Sequence, residues 1–333
     1  MIKSMALNHV YQIRCITTRA TVAHRALQKH QDASMQDYMI RKKFTSSLKH
    51  ATSVSQLASI VKLQIENPEK SSDLLTPRNV SLIGYKVGQL HEQGCTNDNA
   101  EFKPVILNLI DKNLQHFSTT SSSSLLKSLA KWKWDVPRDL PLKISKTLFS
   151  VPRHNKLSLS RAISGMAEIG VADPSVWKTA ISAAEMQLPY MDGFSLAECL
   201  SGISRSGLGD ASFFDKVVAF IEPRTLSFDP ISTSRIAFSL ACVRDHIPQL
   251  ASTFDKLSLQ ILRQLPMYCP VCLQLVVKSF AQVSPANVKL FDAIGDSISA
   301  RQKDFPVETL KLIQTAYKSA GLRHNALESI QIS

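Results

Sequence analysis

A five-position apolar pattern returns along this chain at an almost constant interval. Val176, Trp177, Ala180, Ile181 and Ala184 are followed 37 residues later by Phe213, Phe214, Val217, Val218 and Ile221. The spacing inside each set places all five side chains on one face of a helix. The first position of the pattern falls at residues 101, 139, 176, 213, 253 and 290, in steps of 38, 37, 37, 40 and 37. A period of that size belongs to units that bury their apolar faces only against their neighbours, so it predicts stacked two-helix hairpins.

A second series defines the other helix of the unit. His91, Ala130, Ala167, Ser204, Ala241, Ala281 and Tyr317 follow one another at steps of 39, 37, 37, 37, 40 and 36. The two series keep an offset of nine or ten residues except at Arg244 to Ser252, which lies in a connection three residues longer. In the best copy, Ile163, Met166 and Ala167 form the stripe of a first helix, and Gly170 ends it in the left-handed conformation. Asp173 caps a second helix that begins with Pro174, whose ring presets φ, and runs to about Gln187. Thr119 to Ser124 reads as a serine-rich loop or helix start. With 44% apolar residues, only 11 glycines and no run of β-hairpin turns, the chain is expected to be all-α. The expected architecture is a right-handed α-solenoid of about seven helix-turn-helix repeats over residues 48–333.

The first 31 residues contain no Asp or Glu, but hold Lys3, Arg14, Arg19, Arg25 and Lys29 among Ser, Thr and Ala. That is the composition of a mitochondrial presequence, and its dispersed apolar residues lack the continuous core of a secretory signal. The expected organisation is a presequence over 1–31, a basic linker over 32–47 and the repeat domain, placed in the mitochondrial matrix. A basic tail on a cytosolic protein, or a plastid address, is the alternative. No later stretch approaches the roughly 18 apolar residues of a membrane span, so no membrane insertion is expected.

The formal charge of +12 is unevenly distributed. Residues 32–160 hold 18 Lys and Arg against 11 Asp and Glu, whereas residues 161–333 hold 16 of each. Within the basic half, Lys127, Lys131, Lys133, Arg138, Lys143, Lys146, Arg153 and Lys156 are opposed only by Asp135 and Asp139, and Trp132 and Trp134 lie among them. Cations attract phosphates and an exposed indole stacks on an unpaired base, so these eight basic residues with Trp134 are the candidate contacts to single-stranded or ribosomal RNA. Trp132, at a helix end, fits equally a side chain packed between hairpins. Arg41, Lys42 and Lys43 form a weaker basic run. The neutral half favours protein contacts, such as other ribonucleoprotein subunits.

Nothing in the chain reads as an active site. It has no phosphate-cradling loop, no Gly-x-Ser-x-Gly elbow and no His-Glu-x-x-His helix. His91, His116, His154 and His246 are scattered along it, while Asp173, Asp210 and Asp229 stand where helices start and read as caps. The cysteines are sparse enough for a reducing compartment. Cys269 and Cys272 are spaced like half a zinc site, but no second pair accompanies them, so both are placed at a helix start. Neither catalysis, metal nor cofactor is expected.

The runs Ala162 to Gly170, Pro174 to Trp177, Leu200 to Gly207 with Phe213 and Phe214, and Phe280 and Ala281 with Leu290 and Phe291 resemble octotricopeptide and heptatricopeptide repeats. These are the organellar helical repeats that also precede the C-terminal domains of FAST-kinase-like and RAP-domain proteins. Ser53 to Glu66 followed by Asn79 to Leu90 resembles the opening of such arrays in RAP-type and kinetoplastid RNA-editing-complex proteins. Leu310 to Ser333 still reads as a hairpin, so no RAP-like domain follows. The resemblance implies non-catalytic RNA binding, in organellar RNA processing, stability or editing or in a mitoribosome. A structural adaptor that touches only proteins is the alternative.

Overall fold

The computed structural model describes residues 35–66, 74–95 and 101–329, and every regular element among them is helical. The expected presequence, residues 1–31, lies outside the described residues. Residues 35–50 form α1, followed by α2 (Val54–Glu66). The chain then alternates between first and second helices of successive hairpins. The first helices are α3 (Pro77–Glu92), α5 (Thr119–Leu129), α7 (Lys156–Ile169), α9 (Gly193–Ser206), α11 (Pro230–Cys242), α13 (Pro270–Val283) and α15 (Val307–Ser319). The second helices are α4 (Phe102–Asn113), α6 (Asp139–Phe149), α8 (Pro174–Gln187), α10 (Ala211–Ile221), α12 (Leu250–Gln264), α14 (Val288–Ala300) and the short α16 (Asn325–Glu328). Both apolar series fall on their expected helices, except that Glu101 and Ala130 stand at the caps of α4 and α5. The linker expected over 32–47 is corrected: α1 occupies most of it, because Phe44 and Leu48 are buried and Thr45 bonds Asn79 of α3 at 3.3 Å.

Local chemistry sets the hairpin ends. Gly170 closes α7 at φ 79°, a left-handed geometry that costs glycine nothing. Asp173 then accepts the amides of Ser175 and Val176, and Pro174 opens α8. Asp192, Asp210 and Asp229 cap α9, α10 and α11 in the same way. Ser118 caps α5, so the serine-rich stretch is the helix start. The longer connection after α11 contains a 3-10 turn, Arg244–His246, and packs Ile247 into the core.

Successive first helices pack on one another throughout, from α3 to α15, and these contacts are the most extensive in the molecule. They are close because small residues meet backbone. A methyl on Gly165 would lie 2.7 Å from the Lys127 amide nitrogen of α5, and one on Gly202 would lie 2.7 Å from the Ile163 carbonyl oxygen of α7. The second helices hold the bulk, with Trp177, Phe213, Phe214, Phe254 and Phe291 fully buried. Ion pairs between neighbouring second helices reinforce that row: Lys143–Asp111 at 3.5 Å, Lys216–Glu185 at 2.9 Å and, from α12 to the turn after α10, Lys256–Glu222 at 2.7 Å.

A glycine in a helix interior is normally improved by alanine, by up to about 1 kcal/mol. Gly202→Ala is predicted to reverse that sign and cost about 1–3 kcal/mol, because the new methyl meets immovable backbone. Gly84→Ala, whose methyl meets only the flexible tip of Leu125 at 2.5 Å, is predicted to cost less. Urea denaturation of both variants measures the order.

Candidate nucleic-acid interface

The register that aligns the first helices also aligns their exposed faces. Six residues before the second apolar series stand Tyr85, Ser124, Arg161, Glu198 and Arg235, side by side on α3, α5, α7, α9 and α11. One residue after it stand Glu92, Lys131, Glu168 and Arg205. Positions spaced three or four residues apart share a helix face, so these rows with Lys127 and Ser164 between them form one polar surface across the hairpins.

At the N-terminal end that surface opens into a groove of about 840 Å³ between α1, α3, α5 and the start of α7. Lys49 of α1, Arg78 of α3 and Arg161 of α7 line it, and among the described residues none of the three has a carboxylate partner. Tyr85, with half its surface exposed, lines it together with Glu92 of α3 and Ser121, Ser124 and Ser128 of α5. Lys127 and Lys131 also border it. Cations around an exposed ring, with hydroxyls between them, suit a phosphate chain carrying an unstacked base.

Beyond the groove the same surface neutralises itself. Lys127 bonds Ser164 at 2.7 Å, pairs with Glu168 and reaches Glu198 at 3.4 Å; Glu198 in turn holds Arg235 at 2.6 Å, and Arg205 approaches Glu168 at 3.8 Å. Four consecutive first helices are thereby linked. Burial disfavours the Glu198 charge, but Lys127 and Arg235 outweigh it and hold the carboxyl below its ordinary range.

The basic residues singled out from the sequence are not gathered on one surface. Lys127 lies on the first-helix face, Lys143 and Lys146 on the second helix α6, Arg138 just before α6, and Lys131, Lys133, Arg153 and Lys156 around hairpin ends. Most already hold a carboxylate. Lys131 pairs with Glu92 at 2.8 Å, Lys143 with Asp139 at 2.9 Å, Lys146 with Asp173 at 3.2 Å and Lys156 with Asp192 at 2.6 Å. Lys133, Arg138 and Arg153 have no such partner among the described residues. The stacking role expected of Trp134 is corrected: its ring is only 9% exposed, edge-on to Trp132 at 5.3 Å and to His91 at 4.8 Å. Trp132 is buried too, and its indole nitrogen donates to the Gly84 carbonyl at 3.0 Å, tying two hairpins together. Neither indole has a face left for a base.

Lys49, Arg78, Tyr85 and Arg161 were not among the sequence candidates, because they lie on three different helices, outside the dense basic run between Lys127 and Lys156. The signal that finds two of them is the register itself, because Tyr85 and Arg161 occupy one position of the repeat.

His91 is buried and accepts the Lys133 amide at 3.1 Å. Cys269 precedes α13 and Cys272 is buried in its first turn, where burial pushes the thiol up to about 11. Burial likewise pushes Cys199 up to about 12. A thiol so protonated at neutral pH is a poor nucleophile and metal ligand. Among the described residues no three His, Cys, Asp or Glu side chains converge on a metal position.

The depressed Glu198 pKa fixes a pH dependence. Its stabilising contribution is complete above the unfolded value of 4.5 and fades as the pH falls through the lower folded value. Glu198→Gln is predicted to lose about 2 kcal/mol at neutral pH, between the values for exposed and buried pairs. The gap to the wild type should close on acidification, as followed by urea midpoints.

No protein-family model matches this chain, and no curated protein matches it; the site is defined by its own geometry.

Proposed function

We propose that the chain is a non-catalytic mitochondrial RNA-binding protein that holds single-stranded or ribosomal RNA in the groove between α1, α3, α5 and α7. The observation that carries this reading is that Lys49, Arg78 and Arg161, which hold no carboxylate among the described residues, line one groove together with the exposed Tyr85. In this reading the hairpins form a right-handed α-solenoid. Small residues between first helices, set against large ones on second helices, favour such a turn at every step. The acid-free, basic residues 1–31 support import into the matrix. The role is in organellar RNA processing, stability or editing, or as a mitoribosomal subunit.

A second reading, an adaptor that contacts only proteins, is favoured by the ion pairs of Lys127, Lys131, Lys143, Lys146 and Lys156, which already engage these cations.

Titration of fluorescent single-stranded RNA at several salt concentrations separates the two. Each phosphate neutralised on a single strand contributes about −0.7 to the log–log salt slope, so three groove cations predict a slope near −2. Replacing Lys49, Arg78 and Arg161 together by Gln should abolish most of that slope. Replacing Lys143 and Lys146 by Gln should leave it nearly unchanged. RNA binding absent at low salt, or unaffected by the triple substitution, contradicts the groove reading.

A further inference from the structure

The junctions between hairpins carry a second regular surface, and it is apolar. The second helices α8, α10, α12 and α14 each give way to a short turn whose last residues are exposed, followed by a buried anchor. Tyr190 precedes buried Met191 and Met267 precedes buried Tyr268, while in the middle junction Ser227 precedes buried Phe228 and the exposed apolar residue is Leu226, one position earlier. The next first helix then exposes an apolar side chain in its first turn: Phe194 on α9, Ile231 on α11 and Val271 on α13. Tyr190 and Met267 are each 70% exposed, and the other four are between 46% and 58%. Leu157 on α7 and Val307 on α15 extend the row, so the first-helix positions run at intervals of 37, 37, 40 and 36.

Because the first helices pack side by side, these positions lie in a line. Packed helices are about 8–10 Å apart, so five junctions extend roughly 40 Å. Three consecutive junctions that each present two exposed apolar side chains exceed the scattered apolar residues of an ordinary surface, and the exposed charges among them are engaged, Asp192 with Lys156, Asp229 as a helix cap and Arg224 over the Phe220 ring.

The ends of the line are charged with opposite sign. Arg153 occupies the junction before α7, and Asp304 closes the 3-10 turn Gln302–Asp304 before buried Phe305, the place held by Tyr190 and Met267 in theirs. Both are exposed, and neither has an ion-pair partner among the described residues. Lys303, beside Asp304, holds the place of Pro189, Leu226 and Pro266, while Lys156 and Glu308 are paired with Asp192 and Lys311.

We infer that this line is a self-association surface on which a second copy of the chain docks in antiparallel register about the Leu226 and Ile231 junction. An isologous contact requires a surface complementary to itself after a half-turn. Rotating this line about its middle junction sets Arg153 against Asp304 of the second copy. It also sets Tyr190 and Phe194 against Met267 and Val271, a favourable sulfur–aromatic pairing, and the aliphatic centre against itself. A translated, head-to-tail match would put Arg153 on apolar side chains and leave an open end. The six central residues with Leu157, Val307 and their rim make up a strip comparable to the roughly 800 Å² that each partner of a stable dimer buries.

Sedimentation velocity of the full chain without RNA, over a range of roughly 1–100 µM chosen to bracket a micromolar dissociation constant, tests this. The expected result is a monomer–dimer equilibrium. Ile231→Asp should abolish the dimer with the helical circular dichroism unchanged, since the side chain is already exposed. Arg153→Asp should weaken dimerisation at least about 10-fold, and adding Asp304→Arg should restore it. A monomer at every concentration, growth beyond a dimer, indifference to Ile231→Asp, or failure of the charge exchange to restore association would each overturn the proposal.

Discussion

The close approach of neighbouring first helices is the constraint from which the other features of the molecule follow. One position of the repeat is held by Ser128, Gly165, Gly202, Ser239 and Ser279, and all five are buried. Serine is admissible there because its hydroxyl can bond within its own helix, as Ser128 does to the Ser124 carbonyl at 2.7 Å and Ser279 to the Leu275 carbonyl at 2.6 Å. A larger side chain would separate the helices. With the backbones held close, equivalent residues of successive hairpins come within reach of one another, and the exposed face of the row becomes a continuous surface.

That surface explains how the basic excess is used. In the linear sequence the lysines between residues 127 and 156 stand nearly unopposed, yet in the fold each neighbouring hairpin brings a carboxylate to them. Lys127 meets acids from α7 and α9, and Lys146 and Lys156 meet the aspartates that cap α8 and α9. Asp173 shows the effect most clearly: its carboxyl accepts from the Ser175 hydroxyl and faces Lys146, and is held down to about 2. Among the described residues, Lys49, Arg78 and Arg161 in the groove and Lys133, Arg138 and Arg153 outside it are left without a carboxylate partner.

The hairpin plan was legible because apolar spacing and capping chemistry are local. Gly170, Asp173 and Pro174 announce a helix end and a helix start within five residues, and the structure places both there. The helix α1 was not legible, since Phe44 and Leu48 amid charged residues carry too little periodicity to distinguish a helix from a basic linker. The groove was hidden for a different reason. Lys49, Arg78, Tyr85 and Arg161 come together only when four helices are stacked, and no window of sequence contains them. Trp134 misled because an aromatic between lysines reads as a stacking platform, whereas here it fills the space between α3 and α4 beside His91 and Phe102.

Ultraviolet crosslinking of the full chain to single-stranded RNA, with the modified residues located by mass spectrometry, separates the groove from the lysines of α6. Binding in the groove predicts adducts at Tyr85 and in the peptides that carry Arg78 and Arg161. Adducts confined to α6 or to the peptide of Trp132 and Trp134, with Tyr85 unmodified, would contradict it.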